Sequence, residues 1–203
     1  MENDTYKTIL ESSTEVLYKE KNSKFYGYAF PVENENQVKE IIERLKKQHH
    51  TARHWCYAYQ LGTQTLYHRY NDDGEPSNSA GAPIYGQIQS FNLTNILIVV
   101  VRYFGGVKLG VGGLIVAYRE SAKMALEEAA IIEKTININY LIKFDYKNMN
   151  RVMRVVKEKN IDVVNQKFEL ACEVEISVRK KNAETIFDIF DTMYEILIEE
   201  KEL

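Results

Sequence analysis

The sequence predicts a two-domain α+β protein, and three observations support this fold class. Apolar residues recur at both strand and helix spacings along the 203 residues, a length that can hold one large domain or two small ones. Eight of the ten glycines and two of the three prolines lie between Gly74 and Gly113. After Gly113 the chain contains neither glycine nor proline. A loop-rich first part is therefore followed by a second part made of regular elements.

The first third of the chain is predicted to contain strands around one helix. Residues 6–18 and 24–32 have strand character, and Pro31 lies near the end of the second strand, where a missing backbone donor is tolerated. Residues 34–36 can cap a helix, whose apolar stripe would be Val38, Ile41, Ile42 and Leu45. Residues 53–61 and 65–71 then form a predicted hairpin.

A helix, a strand, a glycine-rich loop and a second helix are predicted next. Residues 79–91 indicate a helix with Pro83 in its first turn, and Ile96–Val101 is an apolar run typical of a strand covered on both faces. Helical spacing resumes at Leu114, so we expect the second helix to start where the glycines stop. A loop that enters a helix in this way offers free N–H groups and the positive end of the helix dipole to an anion.

Two known phosphate-binding patterns do not fit this loop. Gly105 and Gly110 have P-loop spacing, but Val111 and Gly112 stand where Lys and Ser or Thr are needed. The dinucleotide-binding pattern also lacks its third glycine and its acidic residue. What remains is a generic anion site, with the candidates Arg102, Gly105, Gly106, Lys108, Gly110, Gly112 and Gly113. Tight packing of strand against helix would also explain the glycines, and both explanations stay open.

A second set of candidates lies in the segment Asp72–Ser77, which reads DDGEPS. Asp72, Asp73 and Glu75, together with His54, are possible acid/base groups of an enzyme. The same string is also a natural turn, in which Asp side chains bind local backbone and Gly and Pro fix the dihedral angles. A nucleophilic Cys56 beside His54 is conceivable, although a small buried core residue is the favoured interpretation. No metal site and no cofactor are expected.

The second part of the chain is predicted to have the order β-α-β-β-α-β. Strand alternation covers residues 136–146 and 170–178, and shorter strands are expected at 161–168 and 194–198. The two helices have apolar positions at Met149, Val152, Met153 and Val156, and at Ala183, Ile186, Phe187 and Phe190, with Asn182 as the cap of the second. This order is the ferredoxin-like arrangement, and it contains no recognisable catalytic motif.

Charge and hydropathy restrict the classes of partner. A net charge of −3 argues against broad electrostatic binding to nucleic acid, although Arg102, Lys108, Arg119 and Lys123 place cations around the glycine-rich loop. The acidic start of the chain does not resemble a signal peptide, and no apolar stretch is long enough to span a membrane. We therefore expect a cytoplasmic protein without a membrane partner.

Several long motifs occur in an order that resembles the IMPACT/YigZ family. They are DDGEPS at 72–77, AGxP at 80–83, the residues 93–95 before the strand, RYFGGxKLG at 102–110 and GGL at 112–114, with further matches at 23–25 and 54–59. Val111 departs from the pattern, since a small polar residue is expected there. The resemblance implies the fold of the second domain of ribosomal protein S-five for residues 1–132. For residues 133–203 it implies a ferredoxin-like domain similar to the fifth domain of elongation factor G.

The resemblance also implies a function. It indicates a non-enzymatic, translation-related regulator that binds RNA, the ribosome or a phosphate-containing ligand at the glycine-rich loop, or that binds a translation-regulatory protein. Two alternatives stay open: an enzyme acting on a phosphorylated or peptide-like small molecule through residues 72–75, and a protein-interaction module acting through the C-terminal domain. Eukaryotic family members regulate a starvation-sensing kinase pathway with an additional N-terminal domain, and we do not expect that role here.

Overall fold

The computed structural model of the chain describes residues 4–201, which divide into two compact units. The first unit runs from Tyr6 to Lys134, and the second consists mainly of the residues from Thr135 onward. Each unit has hydrophobic clusters of its own. Among residues 4–201, no helix is long and apolar enough to cross a lipid bilayer.

The first unit is built on a five-stranded antiparallel sheet with the strand order β2-β3-β6-β4-β5. Two further strands, β1 and β7, pair with each other in a separate small sheet. The elements up to residue 135 are β1 (Thr5–Ile9), β2 (Val16–Glu20), β3 (Ser23–Pro31), α1 (Glu35–Gln48), β4 (His54–Leu61), β5 (Tyr67–Asn71), α2 (Gly81–Ser90), β6 (Ile96–Tyr103), α3 (Gly110–Glu127) and β7 (Ile131–Thr135).

Strand β6 is the centre of the five-stranded sheet, and its residues from Ile96 to Val101 are fully buried. Ile96, Ile98 and Val100 pack in one cluster with residues of α2 and α3. The alternate residues Leu97, Val99 and Val101 pack in a second cluster with residues of α1. The prediction of a strand covered on both faces is confirmed, because a continuous apolar run supplies an apolar side chain to each face in turn.

Helix α1 begins where the sequence indicates. The Asn34 side chain accepts a hydrogen bond from the Gln37 amide at 3.0 Å, which satisfies one of the free donors of the first turn. The predicted hairpin of β4 and β5 and the helix α2, with Pro83 in its first turn, are also present.

Two predictions for the first unit were wrong in their bounds. The predicted strand at residues 6–18 is two strands, since the polar residues 11–15 interrupt it, and β1 pairs with β7 instead of continuing into β2. Helix α3 begins at Gly110, so Gly112 and Gly113 belong to its first turn. The glycines therefore do not end before the helix starts.

The second unit contains the predicted order of strands and helices. Its elements are β8 (Asn137–Asp145), a short 3₁₀ turn (Tyr146–Asn148), α4 (Met149–Glu158), β9 (Asp162–Lys167), β10 (Ala171–Arg179), α5 (Lys180–Asp191) and β11 (Ile196–Glu200). The strands form an antiparallel sheet in the order β11-β8-β10-β9, and both helices contribute to its core. Asn182 is not the cap of α5, because this helix already begins at Lys180.

Candidate functional site

The first acidic candidate, Asp72, holds the start of helix α2. One carboxylate oxygen, Oδ1, accepts hydrogen bonds from the amides of Ala80 at 2.9 Å and Gly81 at 2.8 Å. The other oxygen, Oδ2, accepts from the Asn78 amide at 2.9 Å. Both oxygens are therefore bound by backbone donors, as expected for the carboxylate that satisfies the first amides of a helix.

Asp73 and His54 lie together and are joined through backbone groups. The Asp73 carboxylate accepts a hydrogen bond from the Trp55 amide at 2.7 Å. The His54 Nδ1 atom lies 2.8 Å from the carbonyl oxygen of Asp73. A carbonyl oxygen can only accept, so Nδ1 carries the proton and donates it in this hydrogen bond. His54 thus anchors the turn that contains the acidic residues.

Glu75 forms a buried ion pair with Arg102. The Glu75 Oε1 atom accepts hydrogen bonds from Arg102 Nη1 at 2.6 Å and from the Tyr118 hydroxyl at 2.7 Å. The side chains of Arg102 and Glu75 are only 7% and 4% exposed. Burial raises the pKa of Tyr118 well above its ordinary value, so this hydroxyl stays protonated and donates.

Cys56 lies at the other side of Tyr118 and is completely buried. Its Sγ atom donates to the Asp72 carbonyl at 3.0 Å and lies 3.3 Å from the Tyr118 hydroxyl. Burial strongly raises the pKa of the Cys56 thiol, so the nucleophilic thiolate is not formed near neutral pH. This geometry supports the interpretation of Cys56 as a core residue.

The structure therefore brings the four acid/base candidates together, but all four are hydrogen-bonded to other groups of the chain. A general base must reach a proton of the substrate, whereas these carboxylates accept from backbone amides, a guanidinium and a tyrosine. Within residues 4–201, no group of three or more His, Cys, Asp and Glu residues is arranged to hold a metal ion. This arrangement is suited to fixing a turn against β6 and α3.

The glycine loop, defined here as residues 104–113, contains glycines with different roles. The Gly105 amide donates to Ser23 Oγ at 3.1 Å, and a Cβ atom at Gly105 would lie 2.1 Å from the backbone of Asn22. Gly105 is therefore needed for close packing of the loop on the β2–β3 turn. Gly106 and Gly110 have φ angles of +84° and +72°, which favour glycine. Gly112 faces open space, whereas Gly113 packs against Leu109.

Helix α3 presents its N-terminus within this loop. The residue that precedes the helix is Leu109, whose side chain has no hydrogen-bond acceptor, and the first turn contains no acidic residue. Lys108, Gly110 and Gly112 are exposed. The first amides of α3 and the Lys108 ammonium therefore lie in one exposed segment, where they could hold an anion.

Six of the seven anion-site candidates thus share one loop, and Arg102 is separate from them in its contacts. Its guanidinium is bound to Glu75 and packs over the rings of Phe25 and Phe104, at 5.5 and 5.7 Å from their centroids. The apolar residues of the loop were not among the candidates predicted from the sequence. Phe104, Val107 and Val111 are each about half exposed, and apolar residues within a glycine-rich loop were the available signal.

The first unit matches a known family. The model of the Impact N-terminal domain family matches residues 21–126. The chain is 33% identical over 177 residues to the IMPACT family member YvyE of Bacillus subtilis, an alignment that covers 87% of this chain and 81% of that protein. It is also 33% identical over 96 residues to the protein IMPACT of Oryctolagus cuniculus, covering 45% of this chain but only 30% of that protein.

A solved structure shares the fold over the whole chain. The crystal structure of a hypothetical protein, 24% identical in sequence, aligns with a TM-score of 0.75 and covers 98% of both chains. At this identity the similarity concerns the fold alone.

Proposed function

Because this chain belongs to the family of the Impact N-terminal domain, we propose that it is a non-enzymatic, translation-related protein that binds the phosphate backbone of RNA at its glycine loop. One observation carries the proposal: the N-terminus of α3 is exposed in a loop without an acidic residue, and the helix begins two residues after the exposed Lys108. Backbone amides, the helix dipole and an ammonium group all favour a phosphate. The partner is RNA, either alone or within a ribosome.

The contacts beneath the loop support a binding role. Gly105 is held on Ser23, and the strand before the loop is fixed by the pair of Arg102 and Glu75. A loop that is held before the ligand arrives loses less conformational entropy when it binds. Arg102 therefore contributes by positioning the loop, and Lys108 contributes the exposed charge.

An enzyme that uses residues 72–75 is less well supported by the geometry. The carboxylates of Asp72, Asp73 and Glu75 all accept hydrogen bonds from groups of the chain itself. These hydrogen bonds would have to break before any of the three carboxylates could accept a proton from a substrate. We therefore favour binding over catalysis for this protein.

We also propose a specific fold for each of the two units. For the first unit we propose the fold of the second domain of ribosomal protein S-five, and for the second unit a ferredoxin-like fold similar to the fifth domain of elongation factor G. The strand order β11-β8-β10-β9 with two helices in one core supports the second assignment. We propose a boundary between these two folds at about residues 132–133, within β7 and close to the division of the compact units after Lys134.

The test is RNA binding by the variant Lys108→Ala. We expect fluorescence anisotropy with a labelled RNA to show weaker binding than in the wild type, and the slope of log affinity against log salt to fall by about 0.7 for a single strand. The exposed Lys157 in α4 of the second unit provides the matched control, and Lys157→Ala should leave both quantities unchanged. An unchanged affinity and slope in Lys108→Ala would show that the site assignment is wrong.

A further inference from the structure

A small cavity lies directly beside the glycine loop and is lined by aromatic and polar side chains. Its volume is about 260 Å³, and it is lined by Asn22, Lys24, Tyr26, Tyr103 and Phe104, which we call the aromatic pocket. Lys24 and Phe104 are exposed, and the two tyrosines are half-buried. Lys24 and Tyr103 are paired on the neighbouring strands β3 and β6, so the pocket lies on a rigid sheet.

Tyr103 of the pocket is held by a partly buried chain of hydrogen bonds that runs through His49 and Tyr28 to Glu15. Tyr28 donates to the carboxylate of Glu15, so its oxygen accepts from His49 Nε2 at 2.6 Å. His49 Nδ1 then has no proton and accepts from the Tyr103 hydroxyl at 3.0 Å. The ring of Tyr26 packs edge-to-face on Tyr103, with centroids 5.7 Å apart. The aromatic surface is therefore formed before any ligand binds.

Phe104 connects the pocket to the glycine loop. It is 48% exposed, and the guanidinium carbon of the buried Arg102 lies 5.7 Å from its ring centroid. This contact fixes one side of a ring that otherwise remains accessible. Phe104 is also the first residue of the loop that carries Lys108 and the N-terminus of α3. Because the pocket adjoins the loop at Phe104, a nucleotide chain whose phosphates lie on the loop can place one of its bases in the pocket.

The chemistry of the pocket fits a nucleobase. Aromatic rings stack on the flat faces of bases, the Asn22 amide can pair with a base edge, and the Lys24 ammonium can neutralise a neighbouring phosphate. In a duplex the faces of the bases are stacked on one another and cannot enter such a pocket. A binding site of this type distinguishes single-stranded from double-stranded RNA.

We propose that the aromatic pocket binds an unpaired base of single-stranded RNA, an inference that rests on the proposed binding of phosphate by the glycine loop. Phosphate contacts at Lys108 then provide affinity for any RNA, and stacking at Phe104 adds the preference for single strands.

The test compares a labelled oligouridine of ten nucleotides with an RNA duplex of the same length by fluorescence anisotropy. Phe104→Ala should weaken binding of the single strand by about fivefold or more and leave binding of the duplex unchanged. Phe104→Tyr keeps the ring and should retain binding. Tyr194→Ala, which removes a ring that is 78% exposed in the second unit, is the matched control and should have no effect.

The outcomes separate this inference from the proposed function. If both RNAs bind equally, and if Lys108→Ala weakens them while Phe104→Ala does not, the pocket has no role and the phosphate site remains. If neither RNA binds to the wild type, both proposals are overturned. Single strands that carry a fluorescent base analogue measure base stacking directly. Stacking on Phe104 should change the emission of the analogue when the wild type binds, and this change should be absent with Phe104→Ala.

Discussion

Arg102 illustrates how the role of a single residue depends on the face of the strand to which it belongs. The position of Arg102 beside the glycines predicts a role in the anion site, whereas the structure pairs this residue with Glu75. The alternation of the strand indicates the observed position, because Arg102 lies on the same face of β6 as Ile98 and Val100, which pack against α2 and α3. Its partner, 27 residues earlier in the chain, could not be identified from spacing alone.

The buried pair leads to a prediction about stability. Glu75→Gln should lower the free energy of unfolding by roughly 3–5 kcal/mol, because it leaves the Arg102 guanidinium buried without a counter-charge. The measurement is urea denaturation at constant pH. The exposed pair of Lys143 and Glu199 provides the control, and Glu199→Gln should cost less than about 1 kcal/mol. Similar effects of the two substitutions would contradict this account.

A second prediction at the scale of the residue concerns His49 and the dependence of stability on pH. Burial lowers the pKa of His49 below the ordinary value of 6.5, while the nearby Glu15 carboxylate opposes this shift. Above pH 6.5 His49 is unprotonated in both the folded and the unfolded chain, so its contribution to the free energy of unfolding is fully present. As the pH falls from 6.5 through the lowered pKa, the unfolded chain gains the proton first, so the stability decreases.

The measurement is the free energy of unfolding as a function of pH. His49→Gln should have a smaller loss of stability than the wild type over the range just below pH 6.5. His50→Gln, which changes the exposed neighbour, should keep the pH dependence of the wild type. Equal pH dependence in the wild type and His49→Gln would exclude this role of His49.

At the scale of the elements, local signals predicted most helices and strands. Helix α1 was placed by its cap at Asn34, and β6 by its apolar run, because both signals lie within a few residues. The strands β1 and β7 required knowledge of a pairing across more than 100 residues, which no local pattern contains. The start of α3 was misplaced because Gly112 and Gly113 have low helix propensity and nevertheless lie in the helix.

The two types of glycine in the loop give opposite predictions. Gly105→Ala should destabilise the protein by about 1–3 kcal/mol, because the added Cβ would overlap the Asn22 backbone. Gly112→Ala should stabilise it by up to about 1 kcal/mol, because this helical position has open space around it. Chemical denaturation of both variants provides the test. Destabilisation by Gly112→Ala would show that this position has a constraint beyond the helix backbone.

At the scale of the whole molecule, net charge and local charge make different predictions for RNA binding. A net charge of −3 predicts little general attraction, so the salt dependence should reflect only the few cations in contact with phosphate. With Lys24 and Lys108 as these cations, log affinity for a single strand should fall with log salt with a slope of about −1.4. Anisotropy titrations between about 50 and 200 mM salt measure this slope. A much steeper slope would indicate a larger basic surface than the two lysines.

The pairing of β1 with β7 has a consequence for the chain as a polypeptide. It brings the two ends of the first unit into contact, and the Leu10 amide donates to the Ala130 carbonyl at 2.9 Å. A folded unit whose N- and C-terminal ends are adjacent can be inserted into a longer protein through two short linkers. It can equally be rejoined at these ends and opened at another surface turn without a change in its interior. Because β1 and β7 pair, we expect the first unit to tolerate both domain insertion and circular permutation.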